Sequence, residues 1–160
     1  MGIFPPSPRA RPRVSILGRT AVNVLGQYRG TLETLLSQGC NIRILFHPTS
    51  TSSPYLYGST PEAYEENLRA ARTHLRQLNR TSSSGRLEIK EMRHPPTMGL
   101  VIAEKSSLAE SSVRVQFYFY HARVGRDRPI LPIFGESQWY NVFLRESQDL
   151  WNGGTDWLPD

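Results

Sequence analysis

The chain has 160 residues, which suits one domain. Such a domain can bury roughly 70% of its unfolded surface and needs no covalent staple. Hydrophobic residues make up 38% and charged residues 21%, an ordinary globular balance, and the formal net charge is +5. A basic balance mildly favours anionic partners such as nucleotides or nucleic acid, although a solvated basic surface is the preferred explanation.

Cys40 is the single cysteine, so an intramolecular disulfide is excluded and a reducing, cytoplasmic setting is expected. No basic or histidine partner stands beside it in sequence, and it reads as a small residue at a strand entrance. No apolar run approaches the ~20 residues of a membrane span. Residues 1–12 carry Pro5, Pro6, Pro8 and Pro12 among arginines. That is a flexible arm or linker without the apolar centre of a secretory signal. The folded domain is expected over residues 13–158.

Arg13 to Gly18 reads as a buried strand ended by glycine. Leu25, Tyr28, Leu32, Leu35 and Leu36 then fall on one helical face, and Gly39 stops that helix. Thr20 stands where an N-cap belongs; its hydroxyl satisfies an orphan amide, and the same helix end can hold an anion. No glycine-rich dinucleotide or Walker pattern follows. Asn41 to Phe46 is the second strand. Strand, helix, strand at this spacing is a parallel βαβ unit. In such sheets ligands lie beyond the carboxyl ends of the strands, so Gly18 to Thr20 and His47 to Thr49 belong to the ligand-facing edge. His47 itself, before Pro48, reads as a plain loop residue.

Thr49 to Thr60 has a flexible loop composition and is placed to act as a lid. Thr60-Pro61-Glu62 is a strong helix start. Tyr64, Leu68, Ala71, Leu75 and Leu78 form the buried stripe of that helix, with arginines mostly off it. Arg86 to Met92 is a half-exposed strand leading to His94. Leu100 to Ala103 is a buried strand, and Lys105 to Ser112 a serine-rich turn. Val113, Val115, Phe117 and Phe119 alternate with polar or tyrosine residues as a clear strand. His121 to Arg128 is a basic turn. Ile130 to Phe134, with Pro132 inside, is an edge strand. Ser137 caps a last helix whose buried face is expected to hold Trp139, Tyr140, Phe143, Leu144, Ser147, Leu150 and Trp151. Gly153-Gly154 ends it.

This order of elements, with the phrase Gly39-Cys40-Asn41-Ile42-Arg43-Ile44-Leu45, a strand into His94, a strand pair and a helix carrying Phe143 and Trp151, resembles one half of a phospholipase D-type domain over roughly residues 13–157. The resemblance implies a three-layer α/β sandwich with a mixed, mainly parallel sheet flanked by helices. It also implies pairing of two half-domains, hence a homodimer. In the active family the signature is His-x-Lys with an aspartate four residues on. The histidine attacks phosphorus, the lysine holds the phosphate and the acid orients a histidine. Here only His94 carries over: Pro96 stands at the lysine position and Val101 at the aspartate position. Lys105 and Glu104 are the substitutes a catalytic reading would need. Losing the partners of an activated nucleophile costs several orders of magnitude in rate, which favours a non-catalytic domain.

The expected function is therefore a sensor or binding domain for a small anionic ligand, a nucleotide or phosphorylated metabolite, at Thr20, His94, Lys105, Ser137 and Asn141. A DNA-binding or effector domain would be its partner beyond the arm. The alternatives are a metal-independent phosphodiesterase or nuclease using His94 across a homodimer, and a protein-interaction scaffold. The four histidines show no paired ligand spacing and no Cys-x-x-Cys occurs, so neither a metal nor another cofactor is expected.

Overall fold

The structure is a computed structural model that describes residues 11–48, 60–81, 84–118 and 128–158. Most of the expected arm, the lid over 49–59 and the basic turn from His121 to Asp127 lie outside the described residues. The elements in chain order are β1 (Arg13–Gly18), α1 (Val22–Ser37), β2 (Asn41–Phe46), α2 (Pro61–Asn79), β3 (Leu87–Glu91), β4 (Met98–Glu104), β5 (Ser112–Phe117), β6 (Ile130–Phe134), α3 (Gln138–Asn152) and the short β7 (Thr155–Asp156). A 3-10 turn at Leu108–Glu110 occupies the serine-rich stretch.

The strands form one mixed sheet in the order β6-β5-β4-β1-β2-β3-β7. Only β1–β2 and β2–β3 are parallel; β1–β4, β4–β5, β5–β6 and β3–β7 are antiparallel. The expected parallel majority is thus corrected. The cause is loop length. Parallel neighbours need a crossover of a dozen or more residues, which α1 and α2 provide. Residues 92–97 are too few to carry the chain back along the sheet, so β4 enters from the edge where β3 ends and runs against β1.

Alternation of side chains divides the interior in two. Ile16, Ile42, Ile44, Phe46 and Ile89 meet Leu25, Leu32 and Leu36 of α1 and Leu68, Leu75 and Leu78 of α2. Leu17, Leu45, Leu100, Ile102, Val113, Val115 and Ile133 meet Tyr140 and Trp151 of α3. The cores therefore lie on opposite faces of the sheet.

The helix boundaries follow local chemistry. The Thr60 hydroxyl accepts from Ala63 N at 3.2 Å, and Pro61 opens α2. The expected stripe of α2, from Tyr64 to Leu78, is buried throughout. Gly39 takes φ +88 after α1, the left-handed geometry that glycine accepts without strain. The N-cap of α1 is Ala21, at φ 56, and not Thr20; the Thr20 hydroxyl sits 3.4 Å from Val22 N. Ser137 caps α3 by accepting from Trp139 N at 3.2 Å. Trp139, expected inside, is 56% exposed. It lies in the first turn of α3, where Tyr140 faces the core instead.

The sheet face under α3 carries charge. Arg13 holds Glu104 through Nε at 2.6 Å and Nη2 at 3.0 Å, and Arg43 holds Glu88 at 3.3 Å. Hydrogen bonding to Glu104 pushes the Arg13 guanidinium above its ordinary pKa against the opposing effect of burial. The Trp151 ring lies 4.9 Å from both the Arg43 and the Lys90 cations. Cys40 is buried and burial pushes its thiol pKa up, as suits a packed rather than a reactive cysteine.

Candidate anion-binding site

Strand directions decide which residues share an edge. β1, β2 and β3 end at Gly18, Phe46 and Glu91, and β5 ends beside them at Phe117. β4 and β6, running the other way, begin at this edge with Met98 and Ile130. Their far ends, Glu104 and Phe134, lie beside Arg13 and Ser112 at the opposite edge.

The five expected contacts are therefore split. Thr20 follows β1 and His94 lies in the link from β3 to β4, both at the carboxyl edge of β1 and β2. Lys105 follows β4, while Ser137 and Asn141 follow β6; these three lie at the other edge, about 17 Å away along a six-residue strand. Lys105 donates its amide to the Ser111 hydroxyl at 3.0 Å, and the Ser137 hydroxyl is occupied in capping α3. One pocket cannot hold all five. His94, at the same edge as Thr20, is exposed. Pro96 is buried, and Val101 pairs with Ile16 and packs partly against the α1–α2 core. Both therefore have structural work at the positions where the motif would carry its lysine and aspartate.

A different group gathers at the carboxyl edge. Arg19, directly after β1, is 6% exposed, and His47, directly after β2, is fully buried. His47 N donates to the Arg19 carbonyl at 2.7 Å, which ties the two strand ends together. The Tyr64 hydroxyl, from the first turn of α2, donates to the His47 carbonyl at 2.9 Å and lies 3.4 Å from its Nδ1. Tyr118, directly after β5, accepts from Arg19 N at 3.2 Å. The Arg19 guanidinium sits 5.4 Å from the centre of the Tyr64 ring and 5.5 Å from that of Tyr118. Arg128, just before β6, brings a second guanidinium to 5.0 Å from the Tyr118 ring.

Two glycines make room for this arrangement. A Cβ on Gly99 would stand 2.8 Å from the Tyr118 hydroxyl oxygen, and one on Gly18 would stand 3.0 Å from it. The two strands flanking the Tyr118 hydroxyl both carry glycine where it lies against them.

The electrostatics follow from crowding positive charge into a largely buried site. Burial lowers the Arg128 pKa, and the neighbouring Arg19 charge lowers it further. Burial pushes the Tyr64 phenol up to about 12, against the pull of Arg19. Arginine remains charged under such conditions and presents a planar fork of donors that matches phosphate and carboxylate oxygens. The cluster is suited to holding an anion.

Sequence reasoning placed Gly18 to Thr20 and His47 at this edge but chose Thr20 and passed over Arg19. It also read His47 as a loop residue, whereas its ring is buried against Tyr64. The available signal was a charged residue directly after a strand-ending glycine. Tyr118 and Arg128 carried no comparable signal, because their approach to β1 depends on the direction of β4. Among the described residues no three histidine, cysteine or acidic side chains gather as metal ligands. No helix among them is long and apolar enough to cross a membrane.

No protein-family model matches the chain, and no curated protein matches it.

Proposed function

We propose that the chain is a non-catalytic binding or sensor domain that takes a small anionic ligand, a nucleotide or phosphorylated metabolite, at the carboxyl ends of β1 and β2. The observation that carries this reading is the Arg19 guanidinium, almost fully buried, lying by the rings of Tyr64 and Tyr118, with Arg128 on the latter ring. Two guanidiniums on one tyrosine ring at the strand ends offer the donors that match the multiple oxygens of a phosphate group. Thr20 and His47 complete the ligand set; Lys105, Ser137 and Asn141 do not belong to it.

The architecture we propose is a three-layer sandwich of the phospholipase D half-domain type, supported by α1 and α2 on one core and α3 on the other. In that frame the domain keeps the place of a phosphate site while Pro96 and Val101 stand where its lysine and acid would be. A DNA-binding or effector domain is the expected recipient of the signal. A phosphodiesterase reading has less behind it, because His94 is exposed and no hydrogen bond orients its ring among the described residues.

The test is thermal unfolding with inorganic phosphate, pyrophosphate and nucleoside mono-, di- and triphosphates. Ligand at a hundred times its Kd stabilises by about 2.7 kcal/mol. For a domain of this size that raises Tm by about 5–10 °C. Arg128→Gln is expected to abolish the rise while leaving the ligand-free Tm nearly in place. Absence of a rise with every phosphate-bearing ligand refutes the proposal.

A further inference from the structure

We infer that the carboxyl half of α2 and the turn after it form a surface that binds the sugar–phosphate backbone of a nucleic acid without reading its sequence. The inference stands apart from the ligand reading. It uses none of the residues around Arg19, and it concerns the opposite edge of the sheet. Tyr64, near the start of α2, meets His47 at the carboxyl edge. The turn after α2 ends at Arg86, whose amide donates at 3.1 Å to the side-chain oxygen of Asn41, where β2 begins.

Charge is segregated along α2. Glu62, Glu65 and Glu66 occupy its first turns, and Arg69, Arg72, Arg76 and Arg80 follow. From Asn67 to Leu87 there is no acidic residue, and Arg86 adds a further arginine. With about 100° per residue, the four arginines from Arg69 to Arg80 fall within an arc of about 80°. That arc lies on the side of the helix away from α1. Gln77 accepts from Arg29 of α1, and the His74 ring stands over Gly26, where an added Cβ would lie 3.3 Å from its Nε2. α1 therefore borders α2 along His74 and Gln77, the stripe from Tyr64 to Leu78 faces the core, and the arginines take the remaining side. Arg69 and Arg80 are exposed, and Arg72 and Arg76 are half-buried.

Two ordinary explanations of arginines on a helix fall short here. The first is pairing with acids one turn away. None of the four makes an ion pair with a described residue. The second is attraction to the negative end of the helix dipole, which acts within the last turn. It accounts for Arg76 and Arg80 but not for Arg69 and Arg72. Arg72 and Arg76, and Arg76 and Arg80, stand four residues apart, where like charges repel. A polyanion lying along the stripe relieves that repulsion.

The basic surface continues past the helix. The Arg11 guanidinium donates to the Ser84 carbonyl at 3.3 Å, and the Arg86 side chain is 76% exposed. Glu88, the acid beside Arg86, is shared with Arg43. Every cation in the group is an arginine, whose planar fork matches phosphate oxygens. Its length selects a polymer. From Arg69 to Arg80 the helix rises about 16 Å, a span that faces about ten phosphates of a duplex. A small phosphate would meet one end of it only. A helix that lies in a lipid surface must turn its apolar face to the acyl chains, and that of α2 is in the core. Glu62, Glu65 and Glu66 repel a polyanion at the amino end, which confines it to the carboxyl half. The partial negative charge of the helix terminus there, about half a unit, is outweighed by whole arginine charges.

The test is fluorescence anisotropy of a labelled DNA duplex, an RNA duplex and a single strand, titrated with the full chain from about 50 to 200 mM salt. Wild type is expected to bind at least one of them, with affinity falling steeply as salt rises. Arg76→Gln/Arg80→Gln is compared with Arg114→Gln/Arg145→Gln, which removes the same charge from exposed positions on β5 and α3. The first pair is expected to weaken duplex binding on the order of 50-fold near 0.1 M salt and to reduce the slope of log K against log salt by about two. The second pair is expected to leave the slope in place. Should the first pair disturb the fold by circular dichroism, Arg80→Gln alone, at the exposed helix end, is expected to reduce the slope by about one. Equal losses from the two pairs overturn the inference, because the attraction would then belong to net charge and not to this surface. So does a wild-type chain that binds none of the three at the lowest salt. Equal or tighter binding to polyglutamate would assign the stripe to an acidic protein, and to phosphatidylglycerol vesicles would assign it to lipid; either overturns it. Thermal shifts with small phosphates bear on the Arg19 site alone, so the two readings fail separately.

Discussion

Replacing Tyr64 by phenylalanine removes one oxygen from the centre of the candidate site and leaves the ring that faces Arg19. The phenol is 1% exposed and donates to the His47 carbonyl at 2.9 Å. Loss of one buried neutral hydrogen bond costs about 1–2 kcal/mol. For a domain of this size that is a fall in Tm of about 2–8 °C. The ring–guanidinium contact survives, so the anion affinity of the folded protein is expected to change less than its stability. The substitution also has a signature in alkali. The folded phenol, held near 12, keeps its proton above the ordinary value near 10. Its contribution is therefore complete below about pH 10 and is lost as pH rises from there through about 12. Tm measured against pH, with absorbance titration of the phenols, checks both statements. A Tyr64→Phe chain with wild-type Tm and an unchanged alkaline limb would show that the hydroxyl does not tie α2 to the end of β2.

Gly99→Ala is expected to displace the Tyr118 hydroxyl by several tenths of an ångström and weaken anion binding with a smaller effect on Tm; calorimetric titration beside thermal unfolding separates the two. In Gly135→Ala the new methyl would stand 1.9 Å from the Leu108 carbonyl, a clash with backbone that moves only with the whole turn, and a fall in Tm of about 6 °C or more is expected for a loss above about 3 kcal/mol. Gly30→Ala is the contrasting case, because nothing lies within 4 Å of the added carbon and the position is inside α1. It is expected to gain about 0.5–1 kcal/mol, read as a small rise in Tm. Glu104→Gln removes the charge and one of the two acceptors facing Arg13 beneath α3, and urea unfolding should show a loss of about 1–2 kcal/mol; an unchanged midpoint would mean that the pair is already screened by water.

The elements were legible because their periodicity is strong. Tyr64, Leu68, Ala71, Leu75 and Leu78 announce α2, and Val113, Val115 and Phe117 announce β5, whatever surrounds them. Direction was not legible. The apolar run from Leu100 to Ala103 reads the same whether the strand runs with β1 or against it. Lys105 therefore looked like a neighbour of His94 in sequence, although β4 carries it to the other end of the sheet. Ser137 and Asn141 were misplaced for the same reason by β6. The His-x-Lys comparison drew attention to His94, which the structure leaves exposed, and away from Arg19, whose burial follows from Tyr118 arriving 99 residues later. Trp139 was assigned to the core because helical spacing alone does not distinguish the first turn of α3, where the helix leaves the sheet edge, from the turns that lie over it.

The sheet joins a helix-linked half, β1 to β3, to a meander, β4 to β6, along the β1–β4 seam. Arg19, His47 and Tyr64 come from the first half, Tyr118 and Arg128 from the second. A nascent chain released after β3 would carry only part of this cluster, which becomes whole only when the meander has annealed to β1. An anion bound as proposed would report completed folding across that seam and clasp the two halves together.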